Sequence, residues 1–142
     1  MTPTLEEFLG PLSHAKDTTR EVEAAIYQTR MMRMGCGPVL HRLNTEYLAI
    51  CQGFFRKTLD YIDHGPNLVV AVHRDLFVGF NHSGALYLLP EYRGRGLGPE
   101  MIAQHYLLDG PEVWMSRPRK LTTAGRITHE RAYALLLKRG LL

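Results

Sequence analysis

The chain has 142 residues, 45% of them hydrophobic and 22% charged, with a formal charge of +3. That is the length of one domain with enough apolar material for a proper core. No apolar run approaches the roughly 20 residues of a membrane-spanning helix, and so mild a positive charge does not by itself imply nucleic acid.

Met1-Thr2-Pro3-Thr4-Leu5-Glu6-Glu7 is acidic and lacks the basic and apolar regions of a signal peptide, so the expected location is the cytoplasm. Cys36 and Cys51 form no Cys-x-x-Cys and read as free thiols of a reducing compartment, a disulfide between them being the alternative. Thr4 and Glu7 have capping-box spacing, which predicts a short helix to about Leu9, ended by Gly10-Pro11. Thr18-Thr19-Arg20-Glu21 repeats the signal. Behind it Val22, Ala25, Ile26 and Thr29 share a helical face, and Met31, Met32 and Met34 crowd its end as adaptable core filling. Gly35-Cys36-Gly37-Pro38 breaks that helix, and residues 39–43 are either a strand or an approach loop. Asn44 or Thr45 is expected to cap a long helix in which Tyr47, Leu48, Cys51, Phe54, Phe55, Leu59 and Ile62 recur at helical spacing. His64-Gly65-Pro66 stops it, and residues 1–66 are expected to be mainly helical.

Residues 68–72 and 76–80 are β-branched or aromatic-rich runs of strand length. They pair as a hairpin across His73-Arg74-Asp75, although that link lacks the Asn-Gly chemistry of the best two-residue turns. Asn81-His82-Ser83-Gly84 is a second turn into a third antiparallel strand that ends at Pro90. His73-Arg74-Asp75-Leu76 imitates a kinase catalytic loop, but the Asn required five positions after the Asp is replaced by Phe80. Further on, Leu97, Met101, Ile102, Tyr106 and Leu108 fit a helix that Asp109-Gly110-Pro111 ends. Residues 112–115 are expected as a very short strand and residues 116–120 as basic and extended. Thr122 or Thr123 caps a last helix, anchored by Ile127, Ala132, Leu135, Leu136 and Leu137 and closed by Lys138-Arg139-Gly140. The fold class is therefore α/β (α+β), a single domain with a mostly antiparallel central sheet flanked by helices.

The segment Leu88-Leu89-Pro90-Glu91-Tyr92-Arg93-Gly94-Arg95-Gly96-Leu97-Gly98-Pro99 joins the third strand to that helix. A strand, a glycine-rich basic turn and a helix start opened by Pro99 gather unpaired backbone N–H groups at a helix N-terminus, which suits a phosphate or pyrophosphate. No Lys follows the glycines, which excludes a Walker loop, and the sixth place of a dinucleotide fingerprint is Pro99. Arg93-x-x-Gly96-x-Gly98 after a strand resembles the acetyl-CoA loop of the GCN5-related N-acetyltransferases, over about residues 68–142. In the last helix Ala132, Leu135, Lys138 and Gly140 match a pattern common in that family. His129 replaces its Asn, Leu136 its Tyr and Leu141 its Phe, and the two strands that usually follow have no counterpart before Leu142.

The resemblance implies transfer of an acetyl group from acetyl-CoA to an amine by direct attack. Pyrophosphate would sit on Arg93, Gly94, Arg95, Gly96, Leu97 and Gly98, and the pantetheine arm along Leu86, Tyr87 and Leu88. An N–H near Leu88 would polarise the thioester carbonyl. Tyr133, one turn from Leu136, is the candidate acid and His82 the candidate base. No metal is expected, since the histidines lack metal-ligand spacing. The expected partners are a small-molecule or peptide amine and a second copy as homodimer, with neither membrane nor nucleic acid. Two alternatives stay open: a non-catalytic acyl-CoA-binding or scaffold module, and a small basic nucleic-acid-binding protein whose glycine-rich loop holds backbone phosphate. Arg117, Arg119, Lys120, Arg126 and Arg131 are candidates for the 3′-phosphate of CoA, an acidic acceptor or nucleic acid. Those five side chains otherwise read as a solvated basic face.

Overall fold

Strong β-formers and a tight turn build the centre of the molecule. The computed structural model describes residues 2–15, 34–43, 48–56, 61–62, 68–82 and 85–142. Strands β5 (Leu68–His73) and β6 (Leu76–His82) pair antiparallel around Arg74-Asp75. Both turn residues have positive φ, 52° and 67°, as a two-residue type I′ hairpin demands. Arg-Asp thus takes a conformation for which Asn-Gly is the easier sequence. β6 continues antiparallel into β7 (Ala85–Leu88). Asn81 and His82, expected in a turn, end β6 instead, and Ser83-Gly84 lie outside the described residues.

On the other side of β5 lie β3 (Leu48–Arg56) and then β2 (Met34–Arg42), with the two-residue β4 (Tyr61–Ile62) beside β3. The sheet order is β2-β3-β5-β6-β7, and every pairing is antiparallel. The long helix expected over residues 44–62 is therefore a strand wherever it is described, and the mainly helical N-terminal half is corrected with it. Its cap at Asn44 or Thr45 and its stop at His64-Gly65-Pro66 lie outside the described residues. The physical reason is burial on both faces. Ile50 joins the core on one side of the sheet and Cys51 the core on the other, and Ala49 and Gly53 are buried too. A strand packed on both faces shows a continuous apolar run that periodicity does not separate from a buried helix. Gly35-Cys36-Gly37-Pro38, expected to interrupt the chain, lies inside β2, where the register shifts between Cys36 and Val39. β2 is an edge strand, so a bulge and a proline are tolerated there. The helix expected behind Thr18 lies outside the described residues apart from Met34, which begins β2.

Cys36 and Cys51 are joined across β2 and β3 as a disulfide, Cα atoms 6.4 Å apart. This corrects the expectation of free thiols. Pairing the two strands brings the two cysteines together, a placement invisible while β3 reads as helix.

The helices are α1 (Leu5–Leu9), α2 (Leu97–Asp109), α3 (Pro111–Ser116) and α4 (Thr123–Lys138). α1 has the full capping box between Thr4 and Glu7, and Thr122 caps α4 by accepting from the Gly125 N–H at 3.0 Å. α3 occupies the place expected for a short strand. Gly110, at φ 84°, ends α2 and the next residue, Pro111, opens α3, where its missing N–H costs nothing.

α2 lies on one sheet face, Leu97 and Met101 packing on Ile50, Val69, Ala71, Val78 and Leu88. Its other side meets the remaining helices through Phe8, Ile102, Ala103, Tyr106, Trp114, Ala132 and Leu136. The opposite sheet face gathers Met34, Cys51, Leu68, Val70 and Phe80. Apart from the main sheet, β1 (Leu12–His14) and β8 (Arg119–Leu121) form a short parallel pair. Arg119 is extended as expected, but it corrects the reading of the C-terminal cations as a solvated basic face. It is buried, donating to Leu9 O at 2.8 Å and to Trp114 O at 2.6 Å. Its guanidinium lies 3.9 Å above the Trp114 ring. Among the described residues no helix is long and apolar enough to cross a membrane.

Candidate strand edge and anion loop

β7 is the last strand of the sheet order. Leu89 N–H donates to Val78 O at 2.9 Å, and Phe80 lies opposite Tyr87. Hydrogen-bonded pairs alternate in an antiparallel ladder. The backbone groups of Tyr87 therefore face β6, and those of Leu86 and Leu88 face the outer edge. Arg93 agrees with this: its Nε donates to Leu88 O at 2.9 Å, and its guanidinium lies 5.2 Å from the Tyr87 ring centre.

Pro90–Tyr92 makes one 3₁₀ turn. The Tyr92 hydroxyl sits 2.7 Å from Nδ1 of His73, which ties the loop to β5, and Arg95 lies 5.6 Å from the Tyr92 ring centre. Gly94 and Gly96 follow with φ 74° and 78°, and a Cβ on either would meet nothing within 4 Å. Both glycines are needed for left-handed backbone, and both face open space. Gly96 caps α2, so the N–H groups of Leu97 and Gly98 have no intrahelical acceptor. Pro99 stands at the third helical position rather than the first, still a position where no helix bond needs an N–H. Gly98 differs from the other two. A Cβ there would lie 3.1 Å from Thr128 Cγ2 and 3.3 Å from Leu86 Cδ2. Its bareness lets α2, α4 and β7 approach one another. Leu97 is buried in the core and offers the loop its backbone alone.

A cavity of about 440 Å³ opens beside the loop, within the roughly 300–1,000 Å³ of small-molecule sites. Leu43, Leu48 and Leu135 form its apolar wall, and Arg95, Glu100 and Arg131 supply its charge. Glu100 is held by the two terminal nitrogens of Arg139 and lies 3.7 Å from His41 Nε2. No family model, curated protein or solved structure matches this chain.

Of the expected cofactor residues, Leu86 and Leu88 lie on the outer strand edge that runs into the loop, while Tyr87 turns its backbone to β6; the expected acid and base do not join them in the same way. Tyr133 donates its hydroxyl to Pro3 O at 2.6 Å and packs 5.4 Å from the Phe8 ring. It lies two residues past Arg131, roughly 200° around the helix, on the side that meets α1. His82 is half-buried at the end of β6, opposite Ala85.

Sequence reasoning missed a buried polar chain. Asn81 Nδ2 lies 2.6 Å from His105 Nδ1, His105 Nε2 lies 3.6 Å from Asp109, and Asp109 accepts from Arg117 at 2.8 Å. Burial raises the Asp109 carboxyl pKa, against the lowering pull of Arg117. His105 and Asp109 are four apart on α2, a spacing the sequence displays, whereas Asn81 reads as a turn residue and lies in β6. The burial of His129, noted in the sequence only as standing in place of an Asn, was not legible either. His129 stacks on Trp114 with ring centres 6.0 Å apart, on a ring that also carries Arg119. Nδ1 lies 2.8 Å from Gly125 O, while Nε2 is buried without a partner. Burial, with the charge of Arg119 adding and the Gly125 bond opposing, pushes the ring pKa down to about 4.

Proposed function

We propose that this chain is an N-acetyltransferase that moves an acetyl group from acetyl-CoA to an amine. The observation that carries the reading is the continuity of one outward strand edge, two open positive-φ glycines and a helix N-terminus. Pyrophosphate would lie on the N–H groups from Gly94 to Gly98, because the Arg93 N–H is already given to Pro90 O at 3.2 Å. The pantetheine amides would pair with the outward N–H and C=O of Leu86, since Leu88 O already accepts from Arg93. The Leu88 N–H would then polarise the thioester carbonyl as negative charge develops on its oxygen. The amine nitrogen attacks the carbonyl carbon, the C–N bond forms, the C–S bond breaks, and CoA leaves as thiol once a proton reaches its sulfur. The amine supplies that proton, with His82 as the base proposed to collect it.

A second reading has an observation of its own. Tyr133, the expected acid, spends its hydroxyl on Pro3, which favours a non-catalytic acyl-CoA-binding or scaffold module. A nucleic-acid role loses support, because Arg119 is buried and Arg117 and Arg126 are ion-paired with Asp109 and Glu130. The reading places the protein in the cytoplasm, a compartment in which a disulfide such as Cys36–Cys51 is the exception. Isothermal titration calorimetry with acetyl-CoA, CoA and ATP tests the cofactor, followed by an amine screen with thiol release as readout. Binding of the first two without ATP is the expected result. No binding at millimolar ligand would remove both acyl-CoA readings, and turnover of no amine by a CoA-binding chain would select the second.

A further inference from the structure

We infer that the cavity beside the loop takes the nucleotide end of the cofactor, and that Arg131 selects for a phosphate on its ribose. The inference rests on the acetyl-CoA reading above. The cavity shares Arg95, Gly96 and Leu97 with the loop, so a ligand whose pyrophosphate occupies the loop has its next group at the cavity mouth. The wall of Leu43, Leu48 and Leu135 suits the flat apolar body of a base.

The structure also sorts the cations. Arg117 is bound to Asp109 and Arg126 to Glu130. Arg119 is enclosed among carbonyl oxygens, and Lys120 is the exposed middle residue of β8. Arg139 is committed to Glu100, whose charge it neutralises at the cavity. Arg131 is exposed, has neither ion pair nor hydrogen bond among the described residues, and lines the cavity together with Arg95. An uncommitted guanidinium beside an apolar wall recognises a phosphate held on a base-bearing ribose, because its fork of donors matches two phosphate oxygens. The same chemistry is presented by the 3′-phosphate of CoA and by a free nucleoside 3′,5′-bisphosphate.

Calorimetry on the wild type, Arg131→Gln and the control Arg126→Gln separates these cases, with CoA, dephospho-CoA and adenosine 3′,5′-bisphosphate as ligands. The wild type is expected to bind CoA about tenfold or more tightly than dephospho-CoA, as a charged hydrogen bond supplies. Arg131→Gln should erase that ratio by weakening CoA alone, and Arg126→Gln should keep it. Equal wild-type affinities, or a ratio that survives in Arg131→Gln, overturn the inference and leave the acetyl-CoA reading intact. A wild type that binds the bisphosphate but not CoA supports the cavity assignment and overturns the acetyl-CoA reading. A wild type that binds none of the three overturns both.

Discussion

Gly96 and Gly98 are two residues apart in one motif, yet they face opposite demands. Gly96 looks into open space, so Gly96→Glu places a negative charge where pyrophosphate would lie, at the modest backbone cost of a non-glycine residue at φ 78°, ~1–2 kcal/mol. We expect this variant to fold and to lose CoA binding. Gly98→Ala meets Thr128 and Leu86 instead and should destabilise the fold by ~1–3 kcal/mol, with CoA affinity retained in the folded fraction. Urea denaturation and calorimetry on both variants check the contrast, and undiminished CoA binding by Gly96→Glu, or its loss in folded Gly98→Ala, would refute it. His129 gives a residue-scale prediction in pH. Its folded pKa, about 4, lies below the ordinary 6.5. Above pH 6.5 the ring is neutral in both states and costs nothing. As pH falls from 6.5 to 4 the unfolded chain takes a proton that the folded chain refuses, so stability is lost progressively, ~3 kcal/mol in all. Denaturation at pH 7 and pH 4 should show the wild type losing that much more than His129→Gln, which carries no titrating ring.

At the scale of elements, the disulfide fastens edge strand β2 to the buried β3. Cys36 and Cys51 are separated by 15 residues, and closing a loop of that size constrains the unfolded chain by ~3 kcal/mol. Reduction should lower the denaturation free energy by about that amount and increase hydrogen exchange in β2. A stability unchanged by reductant would show that the bond contributes nothing. Elements were legible in the sequence to the degree that each had a one-sided environment. α1 and α4 carry explicit caps at Thr4 and Thr122, and β5–β7 are bounded by turns, so all of these were readable. β3 was not, because Ile50 and Cys51 point into different cores and leave no polar face. Nor was α3, where a run of Val-Trp-Met suggested a strand while Gly110 and Pro111 fixed a helix start. The loop was legible because three glycines and two arginines lie within six residues. The cavity was not, since Leu43, Glu100 and Arg131 meet only through tertiary packing, and the turning of Tyr133 toward Pro3 depends on α1.

At the scale of the whole molecule, the described residues set α2 on one face of the antiparallel sheet and α1, α3 and α4 behind α2. Charge is distributed to match. Buried arginine and histidine hold the helical end together around Trp114, while exposed Arg95 and Arg131 stand at the cavity beside the loop. Arg119 carries much of the first task, for one guanidinium ends α1 at Leu9 and α3 at Trp114. The first fifteen residues therefore belong to the far end of the chain. Phe8 packs against Trp114 and Leu136, Pro3 receives the hydroxyl of Tyr133, and Leu12–His14 pair with Arg119–Leu121. During synthesis the amino terminus leaves the ribosome with none of these partners in existence. It must wait, its apolar residues uncovered, until more than a hundred further residues have been translated, so α1 is among the last pieces to settle.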